Sequence, residues 1–304
     1  MSQMLKEYII RNTRWKNSVI FNFVYMFYLF LKHYISSGYR FYRIGRLSTE
    51  KTSDTLVILG AGNTLNELTD ENREELSKYN VAGLSYACVF PVDQQFYFYE
   101  SPPGREAALM QEHVKKVFPA VMEGQKSGRL KSLIWKNSEY RIFSGFEDLG
   151  GFICPMVSAI LSDNLTTIKQ VLRYYGLMGL NRFFLLQKRG SASALVQFAL
   201  MMRYKKVIFI GVDLNSKGYF FQYNHQYDRY NFLDPYSLEV GDRHSAGHRS
   251  NDPAFGLPII EILQAMIEES DGVEFYVSSP NSELSTFLPI WGWQKDTLKD
   301  SEIH

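Results

Sequence analysis

The chain has 304 residues, enough for one large domain or two modest ones and ample to bury a core. Its 33 Lys and Arg against 32 Asp and Glu leave a net charge of +1, which gives no global attraction to nucleic acid. Only two cysteines occur, Cys88 and Cys154, far apart and without metal-ligand spacing, so no disulfide framework is expected and a reducing cytoplasm fits.

The charge is unevenly spread. Residues 1–51 carry nine basic side chains (Lys6, Arg11, Arg14, Lys16, Lys32, Arg40, Arg43, Arg46, Lys51) against Glu7 and Glu50, a net of +7. This predicts a basic, aromatic arm over 1–50 and a body over 51–304, with the boundary in the polar stretch RLSTEKTSD. Within the arm, Val19–Leu31 reads VIFNFVYMFYLFL, apolar or aromatic except for Asn22. As a helix these thirteen residues reach about 20 Å, short of the ~30 Å hydrocarbon core. Lys32 and His33 follow where a signal peptide would place a small-residue cleavage site. Neither a span nor a signal peptide is therefore expected. Aromatics mixed with basic residues suit a helix lying on an anionic surface, so the expected location is cytoplasmic, attached peripherally to the inner membrane. The alternative is a helix whose apolar face packs on the body.

From residue 54 onward, β-rich runs alternate with helical patterns. Four runs stand out: TLVILG (55–60), FFLLQ (183–187), KVIFIG (206–211) and VEFYVS (273–278). Near-continuous apolar strands of this kind belong to parallel sheets covered on both faces. Further candidates are VAGLSY (81–86), QQFYFYE (94–100) and SLIWK (132–136). Helical patterns fall at Thr69–Lys78, Glu106–Phe118, Leu165–Tyr175, Ala192–Arg203 and Ile259–Glu269. The alternation predicts an α/β, Rossmann-like, doubly wound and mostly parallel sheet.

The four main strands lead into GAGNTL, KRGSASA, GVDLN and SPNSE, all polar or glycine-rich. Ligands of open parallel sheets bind outside the carboxyl ends of the strands, so these exits are expected to share one site. The plainer reading is four strands ending in polar turns. The segment Tyr219–Tyr236 holds eight aromatics in eighteen residues without a clean period. A long loop of this kind predicts a lid over about 215–245, with an aromatic satellite core as the alternative.

Gly60-Ala61-Gly62-Asn63-Thr64-Leu65 places two glycines after a strand, where backbone N–H groups can face a phosphate. Leu65 stands where a dinucleotide fingerprint needs its third glycine, and VAGLSY ends without an acidic residue for a ribose, which argues against an NAD enzyme. No GxxxxGK[ST] run occurs, which argues against a P-loop kinase or ATPase. The absence of Asp-x-Asp argues against a metal-dependent nucleotide-sugar transferase.

Several segments follow one another across residues 54–290: ILGAGNTLNEL (58–68), KRGSASALVQFALMMRYKKVIFIGVDLNSKGYFF (188–221), HSAGHRSND (244–252) and SPNSELSTFL (279–288). In this order they resemble the bacterial lipooligosaccharide sialyltransferases of glycosyltransferase family 42. The first is similar to that family's glycine-rich donor loop. The second is similar to its Arg-x-Thr-Ser segment, helix and strand ending in Gly-x-Asp, and the last two to its His-x-x-Gly-His and Pro-Asn-Ser motifs. The resemblance implies a GT-A-like Rossmann variant, a CMP-sialic acid donor, inversion at the anomeric carbon and no metal or other cofactor. The acceptor it implies is a hydroxyl of a cell-surface glycan: lipooligosaccharide, O-antigen or capsule.

Carried over residue by residue, Gly60, Ala61, Gly62 and Asn63 would line the donor phosphate or cytidine. Ser85 and Glu100 stand where the family has asparagines touching the donor. Arg189 (or Lys188) with Ser191 would face the donor, the hydroxyl near its carboxylate. Tyr219 matches the second of two tyrosines that hold the leaving phosphate, and Asn215 stands at the first. Gly211 and Asp213 end a strand at the binding edge, Asp213 either touching ligand or ordering the loop. Asn281 and Ser282 would contact cytidine or cap the following helix. His248 matches the general base. The departures at Ala61, Ser85, Glu100 and Asn215 leave room for another CMP-ulosonic acid, such as Kdo or pseudaminate, and for a catalytically inactive glycan-binding relative. A homo-oligomer is also left open.

The chemistry is consistent with these residue types. A CMP leaving group carries one phosphate, which hydroxyls and backbone amides can stabilise without a metal. An imidazole with a pKa near 6.5 suits removal of the acceptor proton at neutral pH. Of the six histidines, His244 and His248 share a polar, glycine-containing loop flanked by Arg243 and Arg249. His248 is read as the base and His244 as structural, against a reading of both as ordinary loop residues.

Overall fold

The protein is described by a computed structural model covering residues 13–36, 44–99, 107–135, 152–153, 155–180, 184–215, 218–232 and 256–293. In chain order its main elements are α1 (Val19–Ser36), β1 (Thr55–Leu59), α2 (Asp70–Leu76), β2 (Asn80–Leu84), β3 (Gln94–Tyr99), α3 (Ala107–Lys126), β4 (Leu130–Trp135) and β5 (Phe152–Ile153). They are followed by β6 (Met156–Ala159), α4 (Leu165–Leu177), β7 (Phe184–Gln187), α5 (Ser191–Met201), β8 (Lys206–Ile210), α6 (Ile259–Glu268) and β9 (Glu274–Val277).

Seven strands form one sheet in the order β5-β4-β3-β2-β1-β8-β9, and every pairing in it is parallel. The doubly wound α/β class expected from the sequence is the observed one. β1 and β8 lie side by side, while the chain builds outward from β1 on one flank and from β8 on the other. The strand order therefore reverses between β1 and β8, which makes a topological switch point there.

The apolar runs explain the centre of the sheet. In β1, Leu56 and Ile58 face one core cluster and Val57 and Leu59 face the other, as the two-residue strand period requires. β8 divides the same way, with Val207 and Phe209 against Ile208 and Ile210. Both strands are covered on both sides, which is why their sequences do not alternate with polar residues.

One expectation is corrected. FFLLQ does not join the main sheet; β7 pairs with β6 in a separate two-stranded parallel sheet, with Val157 opposite Leu185 and Ala159 opposite Gln187. Its partner, Met156–Ala159, is too short to announce itself by pattern. The β6-α4-β7 unit is a small crossover of its own, and α5 leads from it back beneath β1 and β2. Element ends shifted by a few residues elsewhere. α3 runs through Pro119 to Lys126, where the expected helix stopped at Phe118.

Local signals start the helices. Thr69 and Asn72 make a reciprocal capping box for α2, and Asn164 caps α4 by accepting from Thr167 N at 3.0 Å. The entry to β1 is fixed by Asn80, buried at 1% exposure, whose Oδ1 accepts from the backbone N–H of Thr52 and Ser53 (both 3.0 Å) and from the Tyr204 hydroxyl (3.1 Å).

The described part of the arm is built into the body. Asn22, Met26 and Leu29 of α1 are buried, and Phe30 meets Phe184 of β7 edge-to-face at 5.8 Å. Asn22, the single polar break in its apolar run, is an anchor. Its amide donates to the carbonyls of Lys16 (2.8 Å) and Ser18 (2.9 Å), and its carbonyl accepts from Leu161 N at 2.8 Å. Among the described residues no helix is long and apolar enough to cross a membrane.

Ahead of α1, Lys16 pairs with Asp163, which also holds the buried ammonium of Lys188 at 2.8 Å. Burial raises the Asp163 pKa, but the hydrogen bonds and charges of Lys16 and Lys188 outweigh it and hold the carboxyl below its ordinary value. Burial also pushes the Lys188 pKa down despite Asp163. The pair is best read from Asp163, because that group faces two cations. A carboxyl with a depressed folded pKa contributes stability at pH above its unfolded value, and loses it as pH falls through the folded value. Asp163→Asn is therefore expected to be less stable than wild type at pH 7 in urea unfolding. The difference should shrink as pH drops below about 4. A difference that stays constant down to about pH 2 would rule out this ion pair as its source.

Candidate functional site

The switch point is where the glycine loop and the β8 exit meet. Past the strand ends the pairing continues: Gly60 N donates to Ile210 O at 2.8 Å and Gly62 N to Gly211 O at 2.7 Å. These backbones approach too closely for any side chain. A Cβ on Gly60 would lie 2.2 Å from Gly211 O, and one on Gly62 would lie 2.4 Å from the Asp213 carboxyl. Gly211 has φ +65°, and a Cβ there would meet Leu65 at 2.7 Å. The glycines thus serve the contact between two strand exits, and the N–H groups of Gly60 and Gly62 are already engaged.

Asp213 holds the arrangement. It is 4% exposed, and its carboxylate takes the Thr64 N–H at 2.9 Å as well as the Thr64 hydroxyl. Its carbonyl accepts from Glu283 N at 2.9 Å, bringing in the β9 exit. Ser282 donates to Val212 O at 2.7 Å and caps the turn Glu283–Thr286 by accepting from Leu284 N at 3.2 Å. Asn215 Nδ2 donates to Asn281 O at 2.8 Å. Glu67, at the end of the turn Asn63–Glu67, accepts from Ser279 Oγ at 2.5 Å and from Asn281 Nδ2 at 2.8 Å. Three of the four expected exits are cross-linked in this way.

The segment after β8 closes the same edge. Gly62 bridges to Tyr219 in antiparallel fashion, and Phe220 N donates to Ala61 O at 3.1 Å. Asn66 Nδ2 donates to Asn63 Oδ1 at 2.9 Å and to Phe220 O at 3.0 Å. The Tyr219 ring is buried, edge-on to Tyr86 at 5.0 Å and stacked on Phe221 at 5.3 Å. Tyr86 follows Ser85, a non-glycine residue with φ +55° whose carbonyl accepts the Tyr97 hydroxyl. Phe220 packs edge-on against Phe90 (5.6 Å) and Tyr227 (4.8 Å), and Phe232 lies 4.9 Å from Tyr86. Over its described part, 218–232, the run packs Tyr219, Phe220, Phe221 and Tyr227 inward and leaves Tyr223 exposed; residues 233–245 of the expected lid lie outside the described residues.

The structure brings together Gly60, Ala61, Gly62, Asn63, Gly211, Asp213, Asn215, Tyr219, Asn281 and Ser282, with Ser85 beside them at the end of β2. Arg189 and Ser191 sit instead at the exit of the two-stranded sheet. Arg189 has φ +66°, and its Nε donates to Leu257 O at 3.1 Å. His248, His244, Arg243, Arg249 and Glu100 lie outside the described residues. Thr64 and Glu67 escaped the sequence reading, although both fall inside ILGAGNTLNEL; only their tertiary partners distinguish them from solvated loop residues. Cys88 is fully buried, and burial pushes its thiol up to about 12, away from the thiolate form a nucleophile needs. Among the described residues no three His, Cys, Asp or Glu side chains converge as a metal site would require.

No protein-family model matches the chain, and no curated protein matches it. Among solved structures it is similar to the monofunctional α-2,3-sialyltransferase Cst-I from Campylobacter jejuni, at 13% identity and a TM-score of 0.46 over 79% of this chain and 81% of that one. It is also similar to the sialyltransferase CstII from the same organism, solved with the substrate analogue CMP-3FNeuAc, at 14% identity and a TM-score of 0.42 over 82% of this chain and 99% of that one.

The crowding at Gly62 has a direct test. Gly62→Ala must push aside a buried carboxylate and should cost roughly 2–4 kcal/mol in chemical unfolding. Gly176→Ala, in α4 with nothing within 4 Å of the added carbon, should stabilise by about 0.5–1 kcal/mol. Equal effects at the two sites would refute the close contact.

Proposed function

We propose that the chain is a glycosyltransferase that moves a sialic acid or related nonulosonic acid from its CMP ester to a hydroxyl of a glycan. The observation that carries this reading is a convergence. The segments similar to the family 42 donor loop, Gly-x-Asp strand end and Pro-Asn-Ser motif meet at the sheet's switch point, the place where doubly wound folds bind nucleotides.

In the proposed reaction the acceptor oxygen attacks the anomeric carbon from the face opposite the phosphate. The bond from that carbon to the phosphate oxygen breaks, CMP departs with the electron pair, and the acceptor proton passes to the His248 imidazole. Because the Gly60 and Gly62 N–H groups bind their own backbone, the donor phosphate falls to side chains such as Asn63 and Tyr219. Asp213 and Glu67 then act as positioning residues, one holding the glycine loop and the other holding Ser279 and Asn281.

The test is CMP release by the purified chain from CMP-Neu5Ac, CMP-Kdo and CMP-pseudaminate, each with a glycan acceptor. Release from one donor, falling below about pH 6.5 as the imidazole protonates, is the expected result. His248→Ala should lower that rate by about 100-fold or more with folding unchanged. CMP binding without release from any donor would favour the inactive glycan-binding relative, and an active His248→Ala would remove His248 from its role.

A further inference from the structure

We propose that the outward face of α1 is a docking surface for an anionic lipid bilayer. This inference is independent of the donor chemistry. The inner face of α1 is occupied by the body through Asn22, Met26 and Leu29, yet the opposite face is also apolar. Ile20 (76% exposed), Val24 (56%), Phe27 (61%) and Leu31 (41%) recur at spacings of four, three and four, so at about 100° per residue they form one stripe roughly 60° wide. Trp15, 54% exposed, precedes it. Half of the exposed large apolar side chains among the described residues lie in this stretch. Tyr174, Leu177 and Met178 are also exposed, at the end of α4, the helix α1 packs against. A clustered apolar face on a protein surface marks an interaction site.

The charge of the segment that carries the stripe selects the occupant. The sequence places Lys6, Arg11 and Arg14 before α1, Lys32 in its last turns, and Arg40, Arg43 and Arg46 after it, within a segment of net +7. An apolar and aromatic stripe carried by a segment of that charge matches an interface that is anionic at the headgroups and apolar just beneath. Tyr25 and Tyr28, half-buried and 6.4 Å apart on one flank of the stripe, are the polar-tipped rings that favour headgroup depth. A second copy of the chain would instead bring two segments of +7 together. The depth of insertion is bounded as well, because the inner half of α1 is pinned to Leu161 and Phe184.

The experiment is co-sedimentation of the full chain with vesicles of phosphatidylcholine alone and of phosphatidylcholine mixed with phosphatidylglycerol, at low and high salt. The chain should sediment with the mixed vesicles, release at high salt and ignore the neutral ones. Val24→Gln with Phe27→Gln should cut the bound fraction about tenfold while leaving the thermal midpoint unchanged, since both side chains are exposed. Undiminished binding by that double variant, or equal binding of wild type to both vesicles, would overturn the proposal. So would a dimer in sedimentation equilibrium that the double variant dissolves, because a second copy would then be the partner.

Discussion

The candidate site depends on one buried carboxylate. Asp213 stands at the exit of β8 with 4% exposure, and a charge so placed is tolerated only when donors surround it. Thr64 supplies two of them, its N–H and its hydroxyl, from the far end of the glycine loop. That bond draws the loop across the top of β8 until Gly62 touches the carboxyl group, and only a residue without a side chain fits between. The glycine motif and the Gly-x-Asp strand end are thus two halves of one contact. What the sequence offers as two separate signals is, physically, a single constraint on how two adjacent parallel strands may end.

From that contact the rest of the edge follows. The carbonyl of Asp213 fixes Glu283, Ser282 ties itself to Val212, and Glu67 gathers Ser279 and Asn281. Tyr219 and Phe220 attach to Gly62 and Ala61 and carry the aromatic segment onto Tyr86 and Phe90. Polar bonds hold the β1, β8 and β9 exits, and packed rings cover one flank. The conformational entropy lost at a nucleotide site would in this way be spent during folding, leaving less to lose on binding.

The amino-acid sequence makes legible the class of the fold and the identity of the central strands, because both are written in continuous apolar runs bounded by glycine and polar residues. It does not separate FFLLQ from the main sheet, since local pattern carries no information about which strand will be a neighbour. It offers two readings of the aromatic segment, a lid or a satellite core; within the described residues the rings of Phe220, Phe221 and Tyr227 are buried and that of Tyr223 is exposed. For Asp213 and Ser282 it leaves both a ligand role and a structural one open; what it does not show are the bonds of Asp213 to Thr64 and of Ser282 to Val212, which tie both into the sheet edge. Asn22 looked like a flaw in an apolar run and is a three-way anchor. In each case the missing information was a tertiary partner more than a hundred residues away or on another element.

If the chain is the proposed transferase, cytidine monophosphate binds where the exits of β1 and β8 are tied together. A structure of the chain with CMP bound tests it most directly. The expected complex has the phosphate against Asn63 and Tyr219 and the base or ribose beside Asn281. CMP seated elsewhere on the chain, with the edge formed by Gly60, Gly211 and Asn281 left untouched, would contradict it.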